Sequence, residues 1–326
     1  MSRKFTYIII LAAVVSCERL GDAEAERIGV SAGVSELVVT RAAADPFMGS
    51  APSEDNILES AVWFSNSKTA FPHAPVSPTY LPCHTEIAFE SSAITYADYT
   101  PAGSATPFSL TYPVDNSPVY CVGFHPADGW QCTDGVNVSH AINGQDDLMF
   151  ASAIEGTWDK HFKSLDYKHL LTWVKVSVCA MTMETARQWG KVIDVTIKCK
   201  SRLDIDLSKS SANVTYGGEP QYMTIFNDTA GKELNLTSQE LGSVLCDPAT
   251  EYEVTIKTQN STPKTLTVKL TDLDYNELTS PDQAAGKLFI LSLYFNPFNI
   301  IEGTCTLNYW NDQNEDLFLT PPAGNL

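Results

Sequence analysis

Tyr252-Glu253-Val254-Thr255-Ile256 runs into Lys257-Thr258-Gln259-Asn260-Ser261-Thr262-Pro263, and the chain returns as Lys264-Thr265-Leu266-Thr267-Val268-Lys269-Leu270. Apolar side chains fall on every second residue of both arms: Tyr252, Val254 and Ile256, then Leu266, Val268 and Leu270. A period of two places each set on one face of a strand, and β-branched residues suit a pleated, half-buried surface. Turn formers lie between the arms, so the stretch predicts a hairpin with a five- or six-residue connection. The pattern spreads outward. Val174, Val176 and Val178 share a face, Ile28, Val30, Ala32 and Val34 alternate, and Leu37 and Val39 follow. Leu288 to Phe295 is almost continuously apolar, as in a strand buried on both faces. Helical periodicity is scarce, with one or two turns expected over Glu184 to Trp189. No repeat of fixed period is evident. The expected class is all-β, built as sandwiches.

The N-terminus reads as an export signal. Arg3 and Lys4 precede an apolar run from Phe5 to Val15, shorter than the roughly 20 residues of a permanent span. The run ends Val14-Val15-Ser16-Cys17, the pattern of a lipoprotein signal. Residues 1–16 are therefore expected to be cleaved, leaving Cys17 acylated by palmitate-type chains and anchored in a membrane. Residues 17–27 read as a polar tether. The formal charge of −18 makes nucleic acid and anionic lipid surfaces poor partners. Beyond Cys17, seven cysteines remain, an odd number without a C-x-x-C pair; most are expected to fill the core. Cys199, in phase with Ile193, Val195 and Ile197, is the clearest case.

Chemistry-bearing motifs are thin. None of the six histidines sits in a metal-binding pair, and neither a serine-hydrolase elbow nor a glycine-rich phosphate loop occurs. Asp272-Leu273-Asp274-Tyr275-Asn276 offers the first three oxygen ligands of a calcium loop, but Glu277 replaces the required glycine and Gln283 the bidentate glutamate. It reads as a solvated turn. Asp146-Asp147 is an acidic pair of the kind a glycosidase uses, and in so acidic a chain such pairs also arise by chance. The expectation is no enzyme, no catalytic residue, no metal and no cofactor.

Several segments, in order, resemble the fimbrillin family of the Bacteroidetes, the lipoprotein subunits of type V pili. They are Ser35-Glu36-Leu37-Val38-Val39-Thr40-Arg41-Ala42-Ala43, Val119 to Pro126, Gln145 to Ala151, Tyr167 to Leu171 with Val174-Lys175-Val176, and Leu288 to Phe295 with Ile300 to Gly303 and Tyr309-Trp310. The resemblance implies two β-sandwich domains of transthyretin-like topology in tandem, here residues 28–160 and 161–326. It implies export to the outer membrane, lipidation at Cys17, and cutting by a trypsin-like, arginine-specific protease between Arg41 and Ala42. Cleavage would remove the first strand, residues 28–40, and a donor strand from another pilus subunit would fill the groove. It also implies a structural role for His169; separately, Asp228-Thr229-Ala230 resembles the aspartate-threonine-small motif O-glycosylated in exported Bacteroidetes proteins, with Thr229 as acceptor. The expected place is the cell surface, in a fimbrium, with a host or bacterial surface receptor as partner. Downstream of Trp310 the only apolar stretch is Leu317-Phe318-Leu319, and Pro321-Pro322 cannot donate ladder bonds. So short a donor favours a tip or accessory subunit over a stalk. A rival reading is an anchored glycan-binding lipoprotein, with Trp63, Trp130, Trp158 and Trp189 as stacking candidates.

Overall fold

The computed structural model describes residues 26–34, 51–72, 81–100, 104–209 and 213–308, and over these the chain is almost entirely β. The hairpin forms as its periodicity predicts. Strands Glu251–Thr258 and Lys264–Thr271 pair antiparallel with Tyr252 opposite Val268 and Val254 opposite Leu266. They sit within an eight-stranded sheet with the order Gln221–Lys232, Val192–Cys199, Glu251–Thr258, Lys264–Thr271, Ile301–Asn308, Leu288–Phe295, Thr172–Ala180, Gln239–Cys246. Leu288–Phe295 lies between Ile301–Asn308, antiparallel, and Thr172–Ala180, parallel. Covered on both faces, it buries all its side chains except half-buried Ile290. The two end strands approach one another: a Cβ on Gly242 would lie 2.7 Å from the carbonyl oxygen of Ile225. The sheet thus curls most of the way to a barrel.

The short helix spans Met183–Trp189. Thr182 caps it, its hydroxyl accepting from the Thr185 amide at 3.0 Å, and Gly190 at φ 71° ends it. Trp189 fixes it to the sheet by donating Nε1–H to the Asn296 carbonyl at 3.0 Å and meeting Phe295 edge-on.

A second sheet of six strands has the order Ala32–Val34, Leu165–His169, Met149–Gly156, Val119–His125, Leu58–Ser65, Cys83–Phe89. All its pairings are antiparallel except the first, where Ala32–Val34 runs parallel to Leu165–His169. A four-stranded sheet joins the two halves of the chain, setting Gln131–Cys132 and Asn137–Ala141 beside Arg202–Asp206 and Asn213–Gly217.

Two apolar cores result. The larger runs from Ala61 and Trp63 through Val176 and Ile256 to Phe295 and Cys305, drawing on both halves. The smaller is built only from residues 28–167, and its first four members are Ile28, Val30, Ala32 and Val34. The seven cysteines after Cys17 are all free thiols, six of them buried and Cys132 half-buried. Cys199 is buried with Val195 and Ile197 as expected, but Ile193 is only half-buried. A register shift between Val192 and Asp194 is the reason: a bulge inserts a residue and moves the alternation to the other face.

Candidate functional site

The first described residues, 26–34, pack into the smaller core. Residues 26–34 are not one strand but two, Gly29–Val30 and Ala32–Val34, separated at Ser31. The first half is gripped on both sides. On one flank the Ile28 amide donates to the Leu110 carbonyl at 2.7 Å, and the Tyr112 amide to that of Glu26 at 3.0 Å. On the other, the Ala97 amide donates to the Ile28 carbonyl at 2.9 Å, and Gly29 and Val30 lie opposite Tyr96 and Thr95. The second half crosses to the six-stranded sheet, where the Leu165 amide donates to the Ser31 carbonyl at 2.8 Å and Val34 faces Tyr167.

Inward-facing side chains fill the smaller core. Ile28, Val30, Ala32 and Val34 are 0%, 1%, 1% and 4% exposed, so the period of two seen in the sequence survives the break at Ser31. Around them stand Leu58, Val62, Leu110, Tyr112, Leu165 and Tyr167. Tyr167 lies within this core, the hydroxyl end of its ring against Gly123, where any side chain would collide with it, and its hydroxyl bonded to that of Ser60. Tyr112 holds the neighbouring wall: its hydroxyl accepts from the Phe162 amide at 2.9 Å, and burial pushes the phenol up to about 12.

The outward face carries a strap, residues 94–98. The Arg27 guanidinium lies 4.6 Å above the Tyr96 ring centroid and pairs with Asp98 at 3.0 Å. Ile94 and Tyr96 cover Gly29; a Cβ there would overlap Ile94 Cγ2 and touch two Tyr96 ring carbons at 3.4 Å.

Cys17, Arg41 and Ala42 lie outside the described residues, as do Leu37 and Val39. Thr229 is described and exposed. Pairing with Val192–Cys199 stops at Asn227 and resumes at Lys232, so residues 228–231 loop out of the strand Gln221–Lys232 with the threonine hydroxyl accessible. The tryptophans do not form a platform. Trp63 and Trp189 are buried and Trp130 and Trp158 half-buried, and Trp63 stacks on His84 at 4.0 Å. Asp147 does not face a cleft; it pairs with His169 at 2.7 Å, both side chains 1% exposed. Asp272 spends its carboxylate on the amides of Asn276 and Asp274 within its own turn, which lowers its pKa. A shallow polar cavity of about 260 Å³ lies over Asn137, Ser139, Asp204, Asp206, Asn213 and Thr215. Sequence reasoning missed residues 94–98 and 110–112 as partners of the first strand. Both sit in a stretch rich in Pro, Ser and Thr, and two-residue pairings leave no periodicity to read.

A model described as fimbrillin-like matches residues 61–310. The chain belongs to the fimbrillin-like family. Membership carries a general role for this fimbrillin-like chain, that of a structural and adhesive subunit at the cell surface, in contact with other pilus subunits. The matched range begins after the strand segment 26–34 and after Arg41, so neither is part of what defines the match. Among solved structures, one from Bacteroides uniformis, described as a "putative cell adhesion protein", is 15% identical with a TM-score of 0.53, covering 87% of this chain and 99% of that one. A second with the same description, from Bacteroides ovatus, is 13% identical with a TM-score of 0.47 over 89% of this chain and 99% of that one. At such identities the first likeness is one of fold. No curated protein matches the chain.

Proposed function

We propose that this fimbrillin-like subunit is assembled by strand exchange, with residues 26–34 as a removable occupant of the groove in its smaller core. The observation that carries the reading is the placement of Ile28, Val30, Ala32 and Val34. All four are buried in a core that otherwise belongs to residues 58–167, and their second half, Ala32–Val34, is the end strand of the six-stranded sheet. Removal of such a strand leaves an apolar trough flanked by unpaired amides, including those of Ala97, Tyr112 and Leu165, ready for β-augmentation. Three large buried aliphatic side chains at roughly 1.5–3 kcal/mol each give on the order of 5–9 kcal/mol before ordering costs, enough for a long-lived insertion.

In this proposal the chain is exported, lipidated at Cys17 and held at the outer membrane, and a trypsin-like protease then cuts after Arg41. The body starting at Ala42 accepts a donor strand from another subunit and serves at the tip or as an accessory unit. The division into two sandwiches near residue 160 belongs to the same proposal, with the hairpin Arg202–Gly217 reaching back to pair with Asn137–Ala141. Exposure of Thr229 on its bulge supports O-glycosylation there. The test is mass spectrometry and N-terminal sequencing after a trypsin-like protease. A folded body that begins at Ala42 and takes up a fimbrillin donor strand is expected. A chain that keeps acylated Cys17, or unfolds when cut, would sink the proposal and leave an anchored surface lipoprotein that does not polymerise.

A further inference from the structure

Strand exchange as proposed above leaves open what decides which strand enters. The inward pockets are poor discriminators, because Ile28, Val30 and Val34 meet a general aliphatic and aromatic lining. The outward side differs. It is covered by residues 94–98, which make two specific demands. At position 29 a side chain meets Ile94 Cγ2 and the Tyr96 ring, and it is admitted only if β-branched Ile94 leaves its χ1 rotamer or the strap backbone shifts. At position 27 a cation is received by the Asp98 carboxylate and the Tyr96 ring together.

We infer that the strap of residues 94–98 selects the incoming strand, admitting an extended segment of another subunit that carries a cation, an apolar residue, glycine and an apolar residue in succession. The inference rests on the strand-exchange reading. In this chain the order basic–apolar–glycine–apolar occurs only at Arg27-Ile28-Gly29-Val30. Leu317-Phe318-Leu319 has no glycine, and Gly324 follows Pro322-Ala323, so the C-terminal segment of a second copy does not meet the requirement. Arg27-Ile28-Gly29-Val30 lies in the segment that cleavage after Arg41 removes, so a processed second copy no longer carries the pattern and the occupant is a different subunit. The glycine requirement runs against strand preference, because valine favours β structure and glycine weakens it. A strand with valine at this position should bind better everywhere except under Ile94.

The experiment uses the full chain with a specific protease sequence inserted after Arg41, nicked there so that the first strand stays seated without a covalent link. Labelled peptides of residues 26–34 are offered as the native sequence, as Gly29→Val and as Arg27→Glu, and uptake is followed by anisotropy and native mass spectrometry. The native peptide should enter, Gly29→Val should bind at least tenfold more weakly, and Arg27→Glu should bind severalfold more weakly with the difference shrinking at high salt. In a chain carrying Ile94→Ala, an exposed position that leaves the core intact, Gly29→Val should recover most of its affinity. Equal uptake of native and Gly29→Val peptides, or a loss that Ile94→Ala does not repair, overturns the selection by the strap while strand exchange stands. Uptake of no peptide overturns strand exchange itself, and this inference with it. Dimers formed by a second copy's residues 26–34 would replace the proposed occupant and overturn that assignment.

Discussion

Replacing Ile28 with alanine should loosen the first strand without disturbing the larger core. Ile28 is fully buried, and its backbone both donates to the Leu110 carbonyl and accepts from the Ala97 amide, so it sits at the centre of the gripped segment. Truncating a buried isoleucine to alanine costs about 2–5 kcal/mol, the lower figure where neighbours can close over the gap. At roughly 1.4 kcal/mol per factor of ten, opening of the strand becomes about 30-fold to a few thousandfold more frequent. Native-state hydrogen exchange reads this directly, because the Ala97, Tyr112 and Leu165 amides donate to carbonyls of Ile28, Glu26 and Ser31 and are protected only while the strand is seated. These three should accelerate together. Amides in the ladder between Thr172–Ala180 and Leu288–Phe295 should keep their rates. If the three amides do not respond, the strand is not a separable unit held by its inward side chains. If every slow amide in the chain accelerates equally, the strand opens only with global unfolding, and the reasoning fails just as plainly.

Three further outcomes follow from the geometry. Gly123→Ala should destabilise the protein by about 1–3 kcal/mol, seen as a lower urea midpoint with unchanged slope, because its methyl group would occupy the space of the Tyr167 ring. In native protein a thiol reagent should modify Cys132 well ahead of the other described cysteines, since burial pushes the Cys83 thiol up to about 12 and raises those of Cys121, Cys246 and Cys305 as well; fast native labelling of Cys199 or Cys246 would contradict the buried placement. Burial lowers the His125 pKa, with the His169 ring adding to that and the Asp147 carboxylate and Glu59 carbonyl opposing it. The unfolded chain then binds the proton more readily, so His125 contributes stability that is present above about pH 6.5 and is lost as pH falls below it. His125→Gln should reduce the drop in urea midpoint between pH 7.5 and pH 5, and an unchanged drop would assign it to other groups.

How much of this was legible in the residues depends on whether the cause was local. Alternation in Tyr252–Leu270, the unbroken apolar run Leu288–Phe295 and the one or two helical turns expected over Glu184 to Trp189 are each legible, because strand and helix periodicity act within a single element. The inward set Ile28, Val30, Ala32 and Val34 was equally plain, and its burial is complete. What the residues could not announce is partnership. Ile193 left the expected face because a bulge is set by the neighbouring strands, not by its own sequence. The hairpin Arg202–Gly217 pairs with Asn137–Ala141 from the other half of the chain, a contact between segments more than 50 residues apart. The strap over Gly29 is the sharpest case: Ile94, Tyr96 and Asp98 fall in a stretch rich in Pro, Ser and Thr, and nothing local to the alternating run Ile28 to Val34 points to them. Only when the chain folds back over some 65 residues do these become a lid and the space beneath it. Sequence alone determined that the first strand has a buried face; the tertiary structure decided that residues 94–98 lie against its other face, because close approach of two backbones is a property of neither one by itself.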